Sequence, residues 1–219
     1  MKIRVATYNV HNTDGSRSLE GIAAEISATG ADLVALQELD RGVGRTEKKD
    51  VLLLMNDITK YNRAVFCKSI DYDGGEYGIG ALINYPIINI EKFPLTSSEE
   101  GRILAKFTLR IGEKTVIFYN THLSLVHDTR QIQIKEIASY IKNDEYFILC
   151  GDFNIDSFSE LNGLLRGKAA NRENNSINTF KSGGTIDNII ISENMSFSNI
   201  YLSNTIYSDH NMLVCDIDI

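Results

Sequence analysis

Apolar and polar residues alternate from Lys2 to Asn9, as on a strand with one buried face. "SLEGIAAEISATG" (18–30) switches to helical spacing and ends on Gly30, a helix stop. "ADLVALQEL" (31–39) is a buried strand with Gln37 and Glu38 at its C-terminal end. "KDVLLLMNDI" (49–58) reads as a helix. Strands follow at 61–67, 77–85, 87–95, 103–111 and 114–125, with a hairpin turn at Ile111–Lys114. "DTRQIQIKEIASYIKN" (128–143) is an amphipathic helix with Asp128 as its N-cap. A strand at 145–150 and a short helix at 157–167 come next, and strands at 185–192, 197–203 and 210–219 close the chain. Strands outnumber helices, and many are consecutive. This excludes a doubly wound parallel sheet. It predicts an α/β (α+β) sandwich of two sheets packed face to face with helices outside.

Polar residues gather where the apolar runs stop. Asn9 ends the first strand, Glu38 the second and His122 the run "VIFYNTHL". Asp152 and Asn154 follow "YFILC", Asp187 opens "DNIII", and Asp209 and His210 precede "NMLVC". Alternation puts Asp152 and Asn154 on one side, and Gly151 lets the backbone turn there. Any one of these could be a cap or an Asx-turn. Several together predict strand ends converging on one site. Carboxylates and carboxamides are hard oxygen ligands suited to Mg²⁺ or Mn²⁺. Histidines with carboxylate neighbours suit proton transfer or stabilisation of a phosphoryl oxygen. No G-x-S-x-G elbow occurs, so metal-assisted attack by water is the natural chemistry.

Composition narrows the partners. The chain has 219 residues, 43% of them hydrophobic, which suits one domain over 1–219. Its net charge of −7 does not favour nucleic acid, although "RGVGRTEKK" (41–49) is a local basic run. Cys67, Cys150 and Cys215 lack metal spacing and read as reduced core thiols. Met1 leads directly into a strand, with no signal peptide or membrane span. A cytoplasmic monomer is expected.

"TYNVHN", "LVALQELD", "YNTHLSL", "LCGDFNID", "TIDNIII" and "YSDHNMLV", in this order, resemble the endonuclease/exonuclease/phosphatase superfamily. The resemblance spans almost the whole chain and implies a four-layered α/β sandwich. It implies a divalent metal, Mg²⁺ or Mn²⁺, held by Glu38 with Asn9 and Asp209 beside it. Asp152 resembles the general base that takes a proton from the attacking water, with Asn154 positioning water or phosphate. His210 resembles a histidine that contacts a non-bridging phosphoryl oxygen, oriented by Asp187. His122 would donate to another such oxygen, partnered by Glu100 and assisted by Asn120. Arg102, in "EEGR", and Tyr77, in "GGEYG", would meet the substrate, and His11 and His127 would border it.

The implied activity is phosphoester hydrolysis, with a phosphodiester favoured. The alternatives are a nuclease acting on DNA or RNA, or a non-catalytic binding module on the same fold. The chain has no tryptophan, and no exposed aromatic hairpin for membrane entry is evident. Arg41, Arg45, Lys48 and Lys49 are the candidates for gripping extra phosphates.

Overall fold

A computed structural model describes residues 1–11, 18–162, 167–172, 176–203 and 206–219. Among the described residues, twelve strands form two six-stranded sheets. The first contains β1 (Lys2–Asn9), β2 (Leu33–Arg41), β3 (Arg63–Tyr72), β4 (Gly75–Ile83), β11 (Ser196–Ser203) and β12 (Met212–Asp218). Its order is β11-β12-β1-β2-β4-β3. The second contains β5 (Ile87–Leu95), β6 (Arg102–Ile111), β7 (Lys114–His122), β8 (Phe147–Asp152), β9 (Lys168–Ala169) and β10 (Asp187–Ile191). Its order is β5-β6-β7-β8-β10-β9. Both sheets are mixed: β1 runs parallel to β2, and β7 to β8, whereas the other pairs are antiparallel.

The layers follow from strand alternation. Inward residues such as Val5, Leu33, Phe107, Phe118, Ile148, Ile189 and Leu213 fuse into one core between the sheets. On the outer face of the first sheet, Tyr8, Val34 and Leu36 pack under helices α1 (Leu19–Thr29) and α2 (Val51–Thr59). On the outer face of the second, Leu104, Tyr119 and Leu149 pack under α3 (His127–Ile141). The result is the expected α/β/β/α sandwich. Helix α1 starts where Ser18 Oγ accepts the Gly21 N–H, and ends on Gly30 at φ 62°. The β6–β7 hairpin turns at Gly112 (φ 59°) and Glu113, as expected. The three cysteines are buried and unbridged.

Three local expectations need correction. Asp128 does not cap α3, because the helix begins at His127 and Asp128 lies exposed in its first turn. The segment from 157 is shorter and tighter than the expected helix over its described part. Ser157 caps a single 3₁₀ turn, Phe158–Glu160, and the Glu160 carboxylate folds inward onto Arg130; residues 163–166 lie outside the described residues. Gly151 is not a turn position. It stays in β8, where a Cβ would come within 2.3 Å of the Thr121 carbonyl, so it permits close approach to β7.

Topology brings the polar strand ends together. The C-terminal ends of β1 and β2 carry Asn9 and Glu38, and antiparallel β12 begins beside the end of β1, after Asp209 and His210. In the second sheet, Asp152 pairs in register with His122 on one side and Asp187 on the other.

Candidate active site

Asp152 sits at the centre, almost wholly buried. Its Oδ1 accepts the Asn154 backbone N–H (3.0 Å), an Asx-turn that holds Asn154 at φ 49°. Its Oδ2 accepts from Asn9 Nδ2 (3.0 Å) and lies 3.6 Å from His122 Nε2 and 3.7 Å from His210 Nε2. Burial and the nearby Asp187 charge raise the Asp152 carboxyl to about 7, against the lowering pull of His210, Asn9 and the Asn154 amide.

The two imidazoles are prepared differently. His210 Nδ1 lies 2.8 Å from Asp187 Oδ2, and a carboxylate only accepts, so Nδ1 carries a proton. Burial opposes the His210 cation, but Asp187, then Asp152 and Asp209, outweigh it and raise the ring to about 9. The Phe180 ring packs on His210 at 5.0 Å. Ser208 Oγ donates to the Asn9 carbonyl and accepts the His210 N–H, which ties this turn to β1. His122 Nδ1 instead lies 3.0 Å from Arg102 Nη1. A guanidinium only donates, so Nδ1 is the acceptor and the proton sits on Nε2. Burial, then the Arg102 and His210 charges, push the His122 ring well below its ordinary value. His122 is thus a neutral Nε2–H donor, and its partner is Arg102 instead of Glu100. Glu100 Oε1 lies 2.8 Å from Arg102 Nη1 and balances that cation. A nitrogen-detected NMR titration should show His122 as the Nε2–H tautomer throughout the neutral range. A ring that titrates near its ordinary value would contradict this arrangement.

Glu38 is aimed by the backbone. Pairing of β2 with β4 breaks between Leu36 and Leu39, and within this bulge Glu38 adopts φ 61°. A non-glycine residue there costs roughly 1–3 kcal/mol and persists only when its surroundings enforce it. Asn120 is part of that enforcement. It is fully buried between the sheets, donates to the Leu36 and Gly80 carbonyls (2.9 and 2.8 Å) and accepts from Gln37 Nε2 (2.8 Å). It therefore supports the bulge, and it lies behind the cavity instead of on its wall as expected of a substrate contact.

Glu38 and Asp209 both face His11 Nδ1, at 3.8 and 3.2 Å. Two carboxylates converging at the rim fit a hard divalent cation. Asn9 gives its amide hydrogens to Glu38 (3.0 Å) and Asp152, while its oxygen accepts the His11 N–H (2.9 Å). It orients the carboxylates instead of presenting its oxygen as a third ligand. Asp152, Asp187 and His210 also place three ligand-type atoms within 4.8 Å of one another. There, however, His210 Nδ1 is committed to Asp187.

His11, Glu38, His122, Asp152, Asp209 and His210 line one cavity, together with Asn154, Arg102, Tyr77, Arg45 and Glu100, whereas Asn9, Asn120 and Asp187 lie behind its walls. His127 is not among its walls; it is exposed and pairs with Asp128. Sequence reasoning missed Leu125, Phe180 and Ile186 on the cavity wall, because Leu125 and Ile186 sit at the ends of apolar strand runs and Phe180 belongs to no periodic segment. It did not foresee the role of Ser208, although "SDH" contains it. The basic run is largely neutralised: Arg41 pairs with Glu76, Arg45 with Asp40 and Lys49 with Glu47. Among the described residues, no helix is long and apolar enough to cross a membrane.

Residues 6–210 match the model of the Endonuclease/Exonuclease/phosphatase family. No curated protein matches the sequence. An endonuclease/exonuclease/phosphatase from Beutenbergia cavernae DSM 12333 superposes with a TM-score of 0.81 at 18% identity, over 100% of this chain and 72% of that one. Humanized D. rerio TDP2 gives 0.79 at 16% identity, over 100% and 99% of the two chains. The human nocturnin catalytic domain, solved with a bound sulfate anion, gives 0.76 at 17%, over 99% and 94%. Likeness at this identity establishes the fold and leaves the substrate open. With the matched family model covering nearly the whole chain, this protein belongs to the endonuclease/exonuclease/phosphatase family, whose members are hydrolases acting on phosphoesters.

Proposed function

We propose that this protein is a divalent-metal-dependent phosphodiesterase that hydrolyses its substrate by in-line attack of water. The observation that carries the reading is the convergence of His122 Nε2 and His210 Nε2 on Asp152 Oδ2, at 3.6 and 3.7 Å, on the floor of an open cavity. A phosphoryl group seated there meets a neutral N–H from one ring and a cationic N–H from the other. Negative charge builds on the phosphoryl oxygens in the transition state, where preorganised donors act most strongly. Asp152, with its raised carboxyl pKa, is the base that accepts the proton of the attacking water. Asn154 Nδ2 donates to the Leu123 carbonyl (2.9 Å), which fixes the amide beside the water's position. Arg102 keeps His122 in the donating tautomer. Glu38 and Asp209 hold the cation, Mg²⁺ or Mn²⁺, and Asn9 orients Glu38 and Asp152. Such a cation supplies Lewis-acid polarisation of a phosphoryl oxygen.

The pairing of Arg41, Arg45 and Lys49 disfavours a nuclease, which needs unpaired cations along a phosphate backbone. The test is hydrolysis of bis-p-nitrophenyl phosphate beside p-nitrophenyl phosphate, each with Mg²⁺, Mn²⁺ or EDTA. Metal-dependent turnover favouring the diester is expected. His210→Ala should lower that turnover by about 10²–10³-fold. EDTA-resistant turnover, or a preference for the monoester, would overturn the reading. Glu38→Ala should weaken metal affinity by more than the roughly 10–100-fold typical of losing an outer partner. Its metal-free melting temperature should barely move. An unchanged metal titration would remove Glu38 as a ligand.

A further inference from the structure

The cavity around Asp152 has a volume of about 470 Å³ and two kinds of lining residue. The carboxylates, imidazoles and guanidiniums described above are one kind. The other is apolar: Ile70 and Tyr72 beside Arg45, Phe180 and Ile186 beside His210, and Leu125. The size suits a small molecule with one anionic and one apolar part.

Charge limits what can enter. Arg45 grips the fully buried Asp40 through two bonds of 2.7 Å, and Arg102 Nη1 stands 2.8 Å from Glu100. Both guanidiniums of the wall are therefore balanced. Glu38, Glu100, Asp152 and Asp209 line the same cavity. With Glu38 and Asp209 assigned to the cation and Asp152 to the water, a second phosphate on the substrate would meet Glu100 and already paired guanidiniums.

The apolar wall residues are held in place. Leu125 is 75% exposed, yet its carbonyl accepts from Nη1 of the fully buried Arg130 at 3.0 Å. Tyr72, 42% exposed, is covered on one face by the Arg45 guanidinium at 4.8 Å. Phe180 is locked against His210, and Ile186 directly precedes Asp187. Fixed apolar side chains left open to water beside an anionic centre gain by covering each other with an apolar ligand.

We infer that the substrate carries a single phosphoryl group and an apolar, ring-sized ester group that packs against Leu125 and Ile186. This rests on the phosphodiesterase reading and specifies its substrate class. The shared chemistry is an apolar alcohol esterified to one phosphate, in contrast to a nucleotide.

Three diesters test it: methyl phenyl phosphate, dimethyl phosphate and the methyl ester of thymidine 5′-phosphate. Their dissociation constants are measured by calorimetry on the metal-loaded Asp152→Asn protein, which binds without turnover, and their hydrolysis is followed on the unsubstituted protein. Methyl phenyl phosphate should bind about tenfold or more tightly than dimethyl phosphate, as burial of a ring predicts. Leu125→Ser should shrink that ratio, and the exposed position lets the variant fold. Equal affinities, tightest binding of the thymidine ester, or no binding of any of the three would overturn the inference. Failure of the phosphodiesterase reading appears separately, as diesters that bind in this order but are not hydrolysed.

Discussion

Asp152→Asn should lower kcat by about 10²–10⁴-fold, the range for loss of a positioned general base. The substitution preserves size and the Asx-turn that holds the loop. Its amide oxygen can still accept the Asn154 N–H, whereas its amide nitrogen replaces the oxygen that accepts from Asn9, and the amide cannot take a proton from water. Metal affinity should change little, since Glu38 and Asp209 remain. Stability gives a second readout with a definite sign. The native Asp152 carboxyl is raised to about 7, whereas in the unfolded chain it titrates near an ordinary ~4. Ionising it therefore destabilises the native state as pH rises through that window. The metal-free Asp152→Asn protein should melt at or above the wild-type temperature in alkaline buffer. The difference should close as pH falls below the unfolded carboxyl value. Full activity would remove Asp152 as the base, and a lower melting temperature at alkaline pH would contradict its raised pKa.

Arg130→Met should destabilise the protein by about 3–5 kcal/mol, the usual cost of breaking a buried ion pair from one side. Arg130 is fully buried, and all five guanidinium N–H groups are used. Nε donates to Glu160 Oε2 (2.8 Å), Nη2 to Asp156 and Glu160 (2.7 and 3.2 Å), and Nη1 to the Ser124 and Leu125 carbonyls (3.2 and 3.0 Å). The residue thus ties α3 to the loops after β7 and β8, which carry Leu125 and Asn154. Methionine keeps the apolar stem but strands the buried Glu160 charge. Adding Glu160→Gln to Arg130→Met should recover part of the loss in chemical denaturation. A single substitution that costs under about 1 kcal/mol would place the pair in the class of weak surface bridges.

The convergence of polar strand ends was legible because alternation is strict. A polar residue directly before or after a buried apolar run falls at the strand end, and the C-terminal ends of β1, β2, β7 and β8 meet the starts of β10 and β12 at one place. The layers were legible for the same reason: inward and outward faces of each strand read as separate apolar sets. Non-local partners were not legible. Asn120 shares a face with His122 but lies one pleat deeper, where the broken β2 ladder leaves carbonyls to satisfy. Arg102 displaced Glu100 as the partner of His122 because the two differ in reach, which spacing does not encode. The 157–167 segment has helical spacing, but its described part is drawn into a tight turn by Arg130, 30 residues away from Glu160. β9, with two residues, is too short for any periodicity to show.

The central claim is attack by water on phosphorus under the control of Asp152 and the two imidazoles. Hydrolysis of bis-p-nitrophenyl phosphate in ¹⁸O-labelled water, with product analysis by mass spectrometry, tests it most directly. The account predicts one labelled oxygen in the p-nitrophenyl phosphate released, none in the p-nitrophenol, and near-complete loss of labelled product with Asp152→Asn or His210→Ala. Label in the phenol, or labelled phosphate formed at wild-type rate by both variants, would contradict it.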